Sequence, residues 1–263
     1  MPKVRVGDIQ LNYTLQGSGE PVVLIGGLAS GTWQGWAGHI PVLAKEYRVI
    51  AFDNRGIGES DAPDVPYTTT MMARDTLGLM DALGLDRAHV IGKSLGGAIG
   101  QMMALERPER VRCLVMTSSF MRLDPRGVRL LESWRDTVQQ FGWERFARSL
   151  MVHFVTEEFF EQHPDAVARA ERAIVDTRRT LRGYLNTSAA AETHDSRERI
   201  RDIRVPVLVM CGSEDMVTPA RQSEAMARLI PGAECHIIPR SLHGFLAERP
   251  DTFQIILDFL RRH

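Results

Sequence analysis

Residues 88–97 read Ala-His-Val-Ile-Gly-Lys-Ser-Leu-Gly-Gly, and they decide how the rest of the chain folds around them. An apolar run with strand character ends at Gly92, and Ser94 stands at the turn. A helical pattern rich in Ala, Met, Leu and Gly begins with Leu95 and stops before Pro108. Gly92-Lys93-Ser94-Leu95-Gly96 matches G-x-S-x-G, a sharp strand-to-helix turn that presents a serine hydroxyl. Such a turn strains the backbone at its serine, and side chains at Gly92 or Gly96 would collide with the neighbouring strand and helix. The hydroxyl sits at a helix N-terminus, whose outward N–H groups favour developing negative charge. Ser94 is therefore the candidate nucleophile, in preference to an ordinary helix-capping serine.

The same residues imitate the end of a phosphate-binding loop, G-x-x-x-x-G-K-S. That motif requires a glycine where this chain has Arg87, and a flexible cradle where it has Ala88, His89, Val90 and Ile91. A strand cannot wrap a phosphate with its backbone amides, so nucleotide binding is set aside. Lys93 is expected to pack behind the turn, its ammonium meeting a carboxylate or water, with direct contact to a substrate as the alternative.

Working outward, β-branched runs bounded by turn residues recur as KVRV, IQLNYTL, PVVLIGG, YRVIAFD, AHVIGKS and VRCLVMTS. Helical patterns lie between the later ones, near 32–44, 68–84 and 95–107. Continuous apolar strands separated by helices predict a mainly parallel sheet covered on both faces. The two opening runs read as an antiparallel hairpin at the sheet edge. From 122 to 203 no strand pattern occurs. Helical patterns rich in Arg, Glu and Ala carry the aromatics Trp134, Phe141, Trp143, Phe146, Phe154, Phe159 and Phe160, each expected mainly to pack this segment onto the core. Strand-helix alternation resumes with VPVLVMCG, a helix near 218–230, AECHIIP and a last helix near 248–262. The expected division is a core of 1–121 and 204–263 with a helical cap of 122–203 over the carboxyl edge of the sheet, all in one domain. Ligands bind at that edge in open α/β sheets.

A serine hydroxyl is a weak nucleophile and needs a base oriented by a third group. Beyond VPVLVMCG, the turn Ser213-Glu214-Asp215-Met216-Val217-Thr218-Pro219 offers Asp215 within G-x-x-D-x-x-x-P, with Glu214 as the fallback acid. Beyond AECHII, His243 stands on a loop before the terminal helix, whereas His236 lies inside a strand and His263 ends the chain. Acyl transfer also needs donors for an oxyanion. The backbone N–H of Leu95 is one candidate, and the N–H of Leu28, in the loop Gly-Gly-Leu-Ala-Ser-Gly after PVVLI, is the other.

Together, GGLASG, FDNRGIGES, GKSLGG, GSEDMVTP and SLHGFLAERP resemble the α/β-hydrolase superfamily over nearly the whole chain. The resemblance implies an α/β-hydrolase fold, with an eight-stranded, mostly parallel sheet flanked by helices and an all-helical cap, and no cofactor or metal. FDNRG with SLGG is similar to bacterial 3-oxoadipate enol-lactonases, small esterases and cofactor-free haloperoxidase-like enzymes. It implies hydrolysis of a small carboxylic ester or lactone through an acyl-enzyme on Ser94, with His243 as base and Asp215 as its orienting acid. C–C bond hydrolysis, a lyase or perhydrolase reaction, or a ligand receptor on the same scaffold remain alternatives. Asp53 and Arg55 in FDNRGIGES are expected to form a turn-bracing ion pair.

Composition agrees with a small-molecule enzyme. The 263 residues are 44% hydrophobic and 25% charged, enough for a full core without disulfides. The net charge of −1 gives no reason to expect nucleic acid or an acidic membrane surface as a partner. Cys113, Cys211 and Cys235 lack metal-ligand spacing and are expected as buried thiols in strands. No secretory leader is expected in MPKVRVGDIQLNY, and no apolar run is long enough to span a membrane, so a reducing cytoplasmic setting is expected. Only Lys3, Lys45 and Lys93 are lysines, against an arginine excess that suggests a GC-rich bacterial genome.

Overall fold

Successive residues in the central strands bury opposite sides. Val23 and Ile25 join one apolar cluster, while Val22 and Leu24 join another. The same alternation divides Leu114 and Met116 from Cys113 and Val115, and Val207 and Val209 from Leu208 and Met210. Side chains of a strand point alternately up and down, so a run apolar at every position needs cover on both faces. In the computed structural model, which describes residues 1–28, 31, 35–177 and 180–263, helices supply that cover.

The strands are β1 (Lys3–Val6), β2 (Ile9–Gln16), β3 (Glu20–Ile25), β4 (Tyr47–Phe52), β5 (Ala88–Lys93), β6 (Val111–Thr117), β7 (Val207–Gly212) and β8 (Glu234–Ile238). They form one eight-stranded sheet in the order β1-β2-β4-β3-β5-β6-β7-β8. β1 and β2 make the expected antiparallel edge hairpin, β2 runs antiparallel to β4, and every later pairing is parallel. Helix α1 (Ile40–Leu43) covers one face; α2 (Thr69–Ala82) and α3 (Leu95–Glu106) pack on the other. The helix expected near 32–44 falls in part on 32–34, outside the described residues, as do Ala29 and Ser30 of the glycine-rich loop.

Between β6 and β7 the described residues form helices and no strand: α4 (Pro125–Phe154), α5 (Glu157–Gln162), α6 (Pro164–Asp176) and α7 (Leu181–Thr193). Asp124 caps α4 by accepting from the Gly127 amide at 2.7 Å, and Pro125 occupies the first turn, where its missing N–H costs nothing. Gly142, at φ 78°, breaks α4 into two segments. Phe141 beside this break is 65% exposed, against the expectation of packing. Phe146, by contrast, is fully buried against Trp134, Trp143 and Tyr184.

Helix α8 (Ala220–Leu229) follows β7, and α9 (Phe245–Glu248) and α10 (Phe253–Arg262) end the chain. The single last helix expected over 248–262 is thus divided. Pro250 disfavours helical geometry at the residue before it, and Arg249 adopts φ −128°, ψ 70°. The expectation of three buried thiols also needs correction. Cys113 and Cys211 are buried, but Cys235 is exposed, because β8 is the outermost strand and its flank is not fully covered. Among the described residues, no helix is long and apolar enough to cross a membrane.

Candidate active site

A parallel sheet delivers the carboxyl ends of its strands to one edge, and adjacent strands deliver their loops side by side. β5 is central, between β3 and β6, and ends directly in Ser94. Ser94 adopts φ 53°, ψ −117°, in the left-handed half of backbone space that a non-glycine residue occupies only at a cost. The glycine requirement is visible on both sides. A Cβ at Gly92 would run into the Gly96 carbonyl, and one at Gly96 into the Ile25 carbonyl of β3. The turn is held from β6: the Ser94 amide donates to Thr117 O at 2.8 Å, and Ser119 Oγ donates to Ser94 O at 2.9 Å.

β7 and β8 are neighbours, and their loops are stitched together by backbone hydrogen bonds. Ser213 N donates to Ile238 O at 2.8 Å, and Glu214 N to Ser241 O at 3.0 Å. That stitching sets Asp215 Oδ2 2.8 Å from His243 Nδ1, with both side chains buried. Asp215 Oδ1 accepts from the amides of Val217 (2.8 Å) and Thr218 (2.9 Å), and Oδ2 also accepts from Thr218 Oγ1 at 3.0 Å. Burial opposes a charge there, but the His243 imidazole and these two amides outweigh it and hold the carboxyl below its ordinary range. An ionised carboxylate can only accept, so His243 Nδ1 donates in this contact. Glu214 takes no part in this contact.

Ser94, His243, Leu28 and Leu95 line one cavity. Its walls are largely apolar and come from the helical segment as well as the core: Leu131, Trp134, Met151, Phe154 and Ile174 all contribute. Among the described residues, the Leu28 and Leu95 amides donate no backbone hydrogen bond outside regular elements. Lys93 borders the same cavity. Among the described residues no cluster of His, Cys, Asp and Glu has metal-binding geometry.

Several supporting residues escaped the sequence reading. Ser118, at φ 48°, donates from Oγ to the His243 carbonyl at 3.1 Å, so the end of β6 braces both the serine turn and the histidine loop. Asn54 Nδ2 donates to Gly26 O at 3.2 Å and steadies the loop bearing Leu28. Glu248 accepts from the amides of Leu242 (3.0 Å) and Thr156 (2.5 Å), tying the histidine loop to the helical segment. Only the polar pair Ser118-Ser119 closing an apolar run could have hinted at this; which carbonyl each reaches is a tertiary fact. The expected Asp53–Arg55 brace takes another form. Arg55 reaches out of its turn to pair with Asp75 of α2, while Asp53 accepts from Asn12 Nδ2 (2.7 Å) and the Glu59 amide (3.1 Å). A guanidinium this buried needs a two-pronged carboxylate, and α2 presents one.

The chain's similarities agree with this architecture. A model of the alpha/beta hydrolase fold family matches residues 20–250. A protein of Azorhizobium caulinodans named "Putative carbamate hydrolase RutD" is 32% identical over 257 residues, 98% of this chain and 97% of that one. The 2-hydroxy-6-oxo-6-(2'-aminophenyl)hexa-2,4-dienoic acid hydrolase of Metapseudomonas resinovorans is 30% identical over 270 residues, 98% of this chain and 90% of that one. Among solved structures, an enol-lactonase from Burkholderia xenovorans LB400 superimposes with a TM-score of 0.91 at 28% identity, covering 99% of this chain and 100% of that one. With its eight-stranded sheet, its serine turn after β5 and these relatives, the chain belongs to the α/β-hydrolase family and is a hydrolase.

Proposed function

We propose that the protein is a serine hydrolase that cleaves a small carboxylic ester or lactone through an acyl-enzyme on Ser94. The observation that carries this reading is the buried 2.8 Å contact between His243 and Asp215 on the wall of the cavity that Ser94 also lines. In the reaction, Ser94 Oγ attacks the substrate carbonyl carbon while His243 Nε2 takes the hydroxyl proton. Asp215 stabilises the imidazolium and fixes its tautomer. The N–H groups of Leu28 and Leu95 hold the oxyanion, an interaction typically worth roughly 10²–10³ in rate per donor. The leaving oxygen departs with the proton from His243. Water then attacks the acyl carbon with His243 again as base, and Ser94 regains its proton as the acid is released.

In this reading, the segment 122–203 caps the core formed by 1–121 and 204–263 and supplies the apolar wall for the acyl chain. A second reading is C–C bond hydrolysis of a vinylogous diketone. The relative from Metapseudomonas resinovorans, whose name describes a hydrolase of a dienoic acid, favours it.

The test is labelling with a fluorophosphonate, read by intact mass, on the wild type and Ser94→Ala. One phosphonyl group on the wild type and none on the variant is the expected result; a folded wild type that stays unlabelled would sink the proposal. A panel of p-nitrophenyl esters, lactones and vinylogous diketones then separates the two readings. Turnover confined to the diketones would transfer the proposal to C–C cleavage.

A further inference from the structure

Thr218 stands just ahead of α8, in a Thr-Pro step where a hydroxyl ordinarily caps a helix. It does not cap this one. Pro219 occupies the cap position, and no side-chain cap bond is made to the first turn of α8. Thr218 is instead fully buried at the wall of the cavity that Ser94 and His243 also line.

Its polar atoms are spent on Asp215. The Thr218 amide donates to Asp215 Oδ1 at 2.9 Å, and the hydroxyl donates to Oδ2 at 3.0 Å. One residue therefore reaches both oxygens of the same carboxylate. Oγ1 also lies 3.4 Å from His243 Nδ1. A hydroxyl has one hydrogen, here given to Oδ2, so towards Nδ1 it presents a lone pair. The Nδ1 donor of His243 thus faces Oδ2 at 2.8 Å and Oγ1 as a second, longer acceptor.

The terminal torsion of an aspartate is broad and roughly two-fold, so the plane of its carboxylate has to be fixed from outside. The amides of Val217 and Thr218 anchor Oδ1. On Oδ2, apart from the imidazole, the nearest donor is the Thr218 hydroxyl. Cys211 of β7 stands further back, its Sγ 3.5 Å from Oδ2 and 3.3 Å from the Thr218 carbonyl, with one hydrogen for the two.

We infer that Thr218 is a positioning residue for the reaction: its amide and hydroxyl, one on each oxygen, fix the plane of the Asp215 carboxylate and through it the ring of His243. This inference rests on the serine-hydrolase reading above. Without the hydroxyl the carboxylate turns more freely and the imidazole is less well aimed, so kcat falls with KM little changed. Oδ2 also has one donor fewer and becomes the more basic acceptor. It then holds a protonated His243 more tightly, and the acid limb of the kcat/KM profile moves to higher pH. The other groups acting on Asp215 are His243, Cys211 and Lys93 of β5, and substitution at Thr218 leaves all three in place.

The experiment measures kcat, KM and the pH dependence of kcat/KM for the wild type, Thr218→Val and Thr218→Ser, on whichever substrate of the panel above turns over fastest. Fluorophosphonate labelling of each protein runs alongside. Thr218→Val keeps the branched shape and the backbone amide and removes the hydroxyl; Thr218→Ser keeps the hydroxyl. Thr218→Val is expected to lose about 10-fold in kcat, the scale of one hydrogen bond to a charged group, with the acid limb displaced upward. Thr218→Ser should recover most of the kcat and the wild-type limb. Thr218→Ala takes the place of Thr218→Val should the latter not fold. A hydroxyl-free variant with wild-type kcat and limb overturns the inference. So does one that loses thermal stability with the limb unmoved, or a Thr218→Ser as impaired as Thr218→Val. A wild type that stays unlabelled would instead remove the hydrolase reading itself.

Discussion

Two histidines are buried where the helical segment meets the core, and they are built differently. At the end of α4, His243 lies under Phe154, and the Gly244 amide donates to the Phe154 carbonyl at 2.7 Å. At the end of α7, His194 lies edge-on to Phe120 and bonds to Thr69 Oγ1 (2.8 Å) and Gln101 Oε1 (3.3 Å). Both moor the helical segment. His243 faces a carboxylate and a cavity; His194 faces a hydroxyl and an amide inside closed packing. With the amide oxygen as acceptor, His194 Nε2 carries the proton and Nδ1 receives the Thr69 hydroxyl, so the neutral ring is satisfied. Burial with neutral partners drives its pKa down to about 4. Similar burial therefore closes one ring onto neutral partners and sets the other against a carboxylate at the wall of a cavity.

The sharpest way to break this contrast is to remove the carboxylate. Asp215→Asn is expected to lower kcat by roughly 10⁴, because an amide no longer enforces the Nδ1–H tautomer. His194→Asn should leave turnover on p-nitrophenyl esters within a few-fold. Equal losses in steady-state assays of the two variants would erase the distinction.

Acid unfolding sharpens it from the stability side. His194 and His39 each have a folded pKa of about 4 against an ordinary value of 6.5, so the unfolded chain binds their protons first as pH falls. Their contribution is present above pH 6.5 and is lost on descending towards about 4, amounting to roughly 3 kcal/mol for each group. Urea melts between pH 7 and 4.5 should show this decline, and His194→Asn should show a shallower one. A wild-type stability flat over that range would contradict the neutral burial of both rings.

Smaller effects probe the moorings. Glu248→Gln keeps one good acceptor for the two amides of Leu242 and Thr156, and should cost about 1–3 kcal/mol in urea melts with about a 10-fold loss of kcat/KM. Ser118→Ala removes one hydrogen bond to the His243 carbonyl and should cost about 1 kcal/mol, with the loss visible mainly in kcat. If either variant lost stability alone, with kinetics intact, its link to the histidine loop would be merely structural.

How much of this was legible in one dimension follows from the range of each interaction. Strand alternation, the G-x-S-x-G turn and Pro or Gly punctuation act within a few residues, so the strands and the helices flanking Ser94 could be read locally. Local signals failed where a distant partner made the choice. Arg55 left its own turn for Asp75, 20 residues on, and Cys235 came to the surface because β8 has no neighbour beyond it. The break at Gly142 lay inside a pattern that reads as continuous helix.

The sequence by itself determined the sheet, the serine turn and the identities of Ser94, Asp215 and His243 as candidates, because motif spacing and periodicity are properties of short stretches. Only the tertiary structure decided that Asp215 rather than Glu214 meets His243, that Lys93 borders the cavity, and that the helical segment is tied to the histidine loop through Phe154 and Glu248. Those facts depend on which loops adjacent strands bring together. Contacts between residues 92 positions apart, as for Thr156 and Glu248, or 125 apart, as for Ser118 and His243, are fixed by the packed chain and carry no local mark.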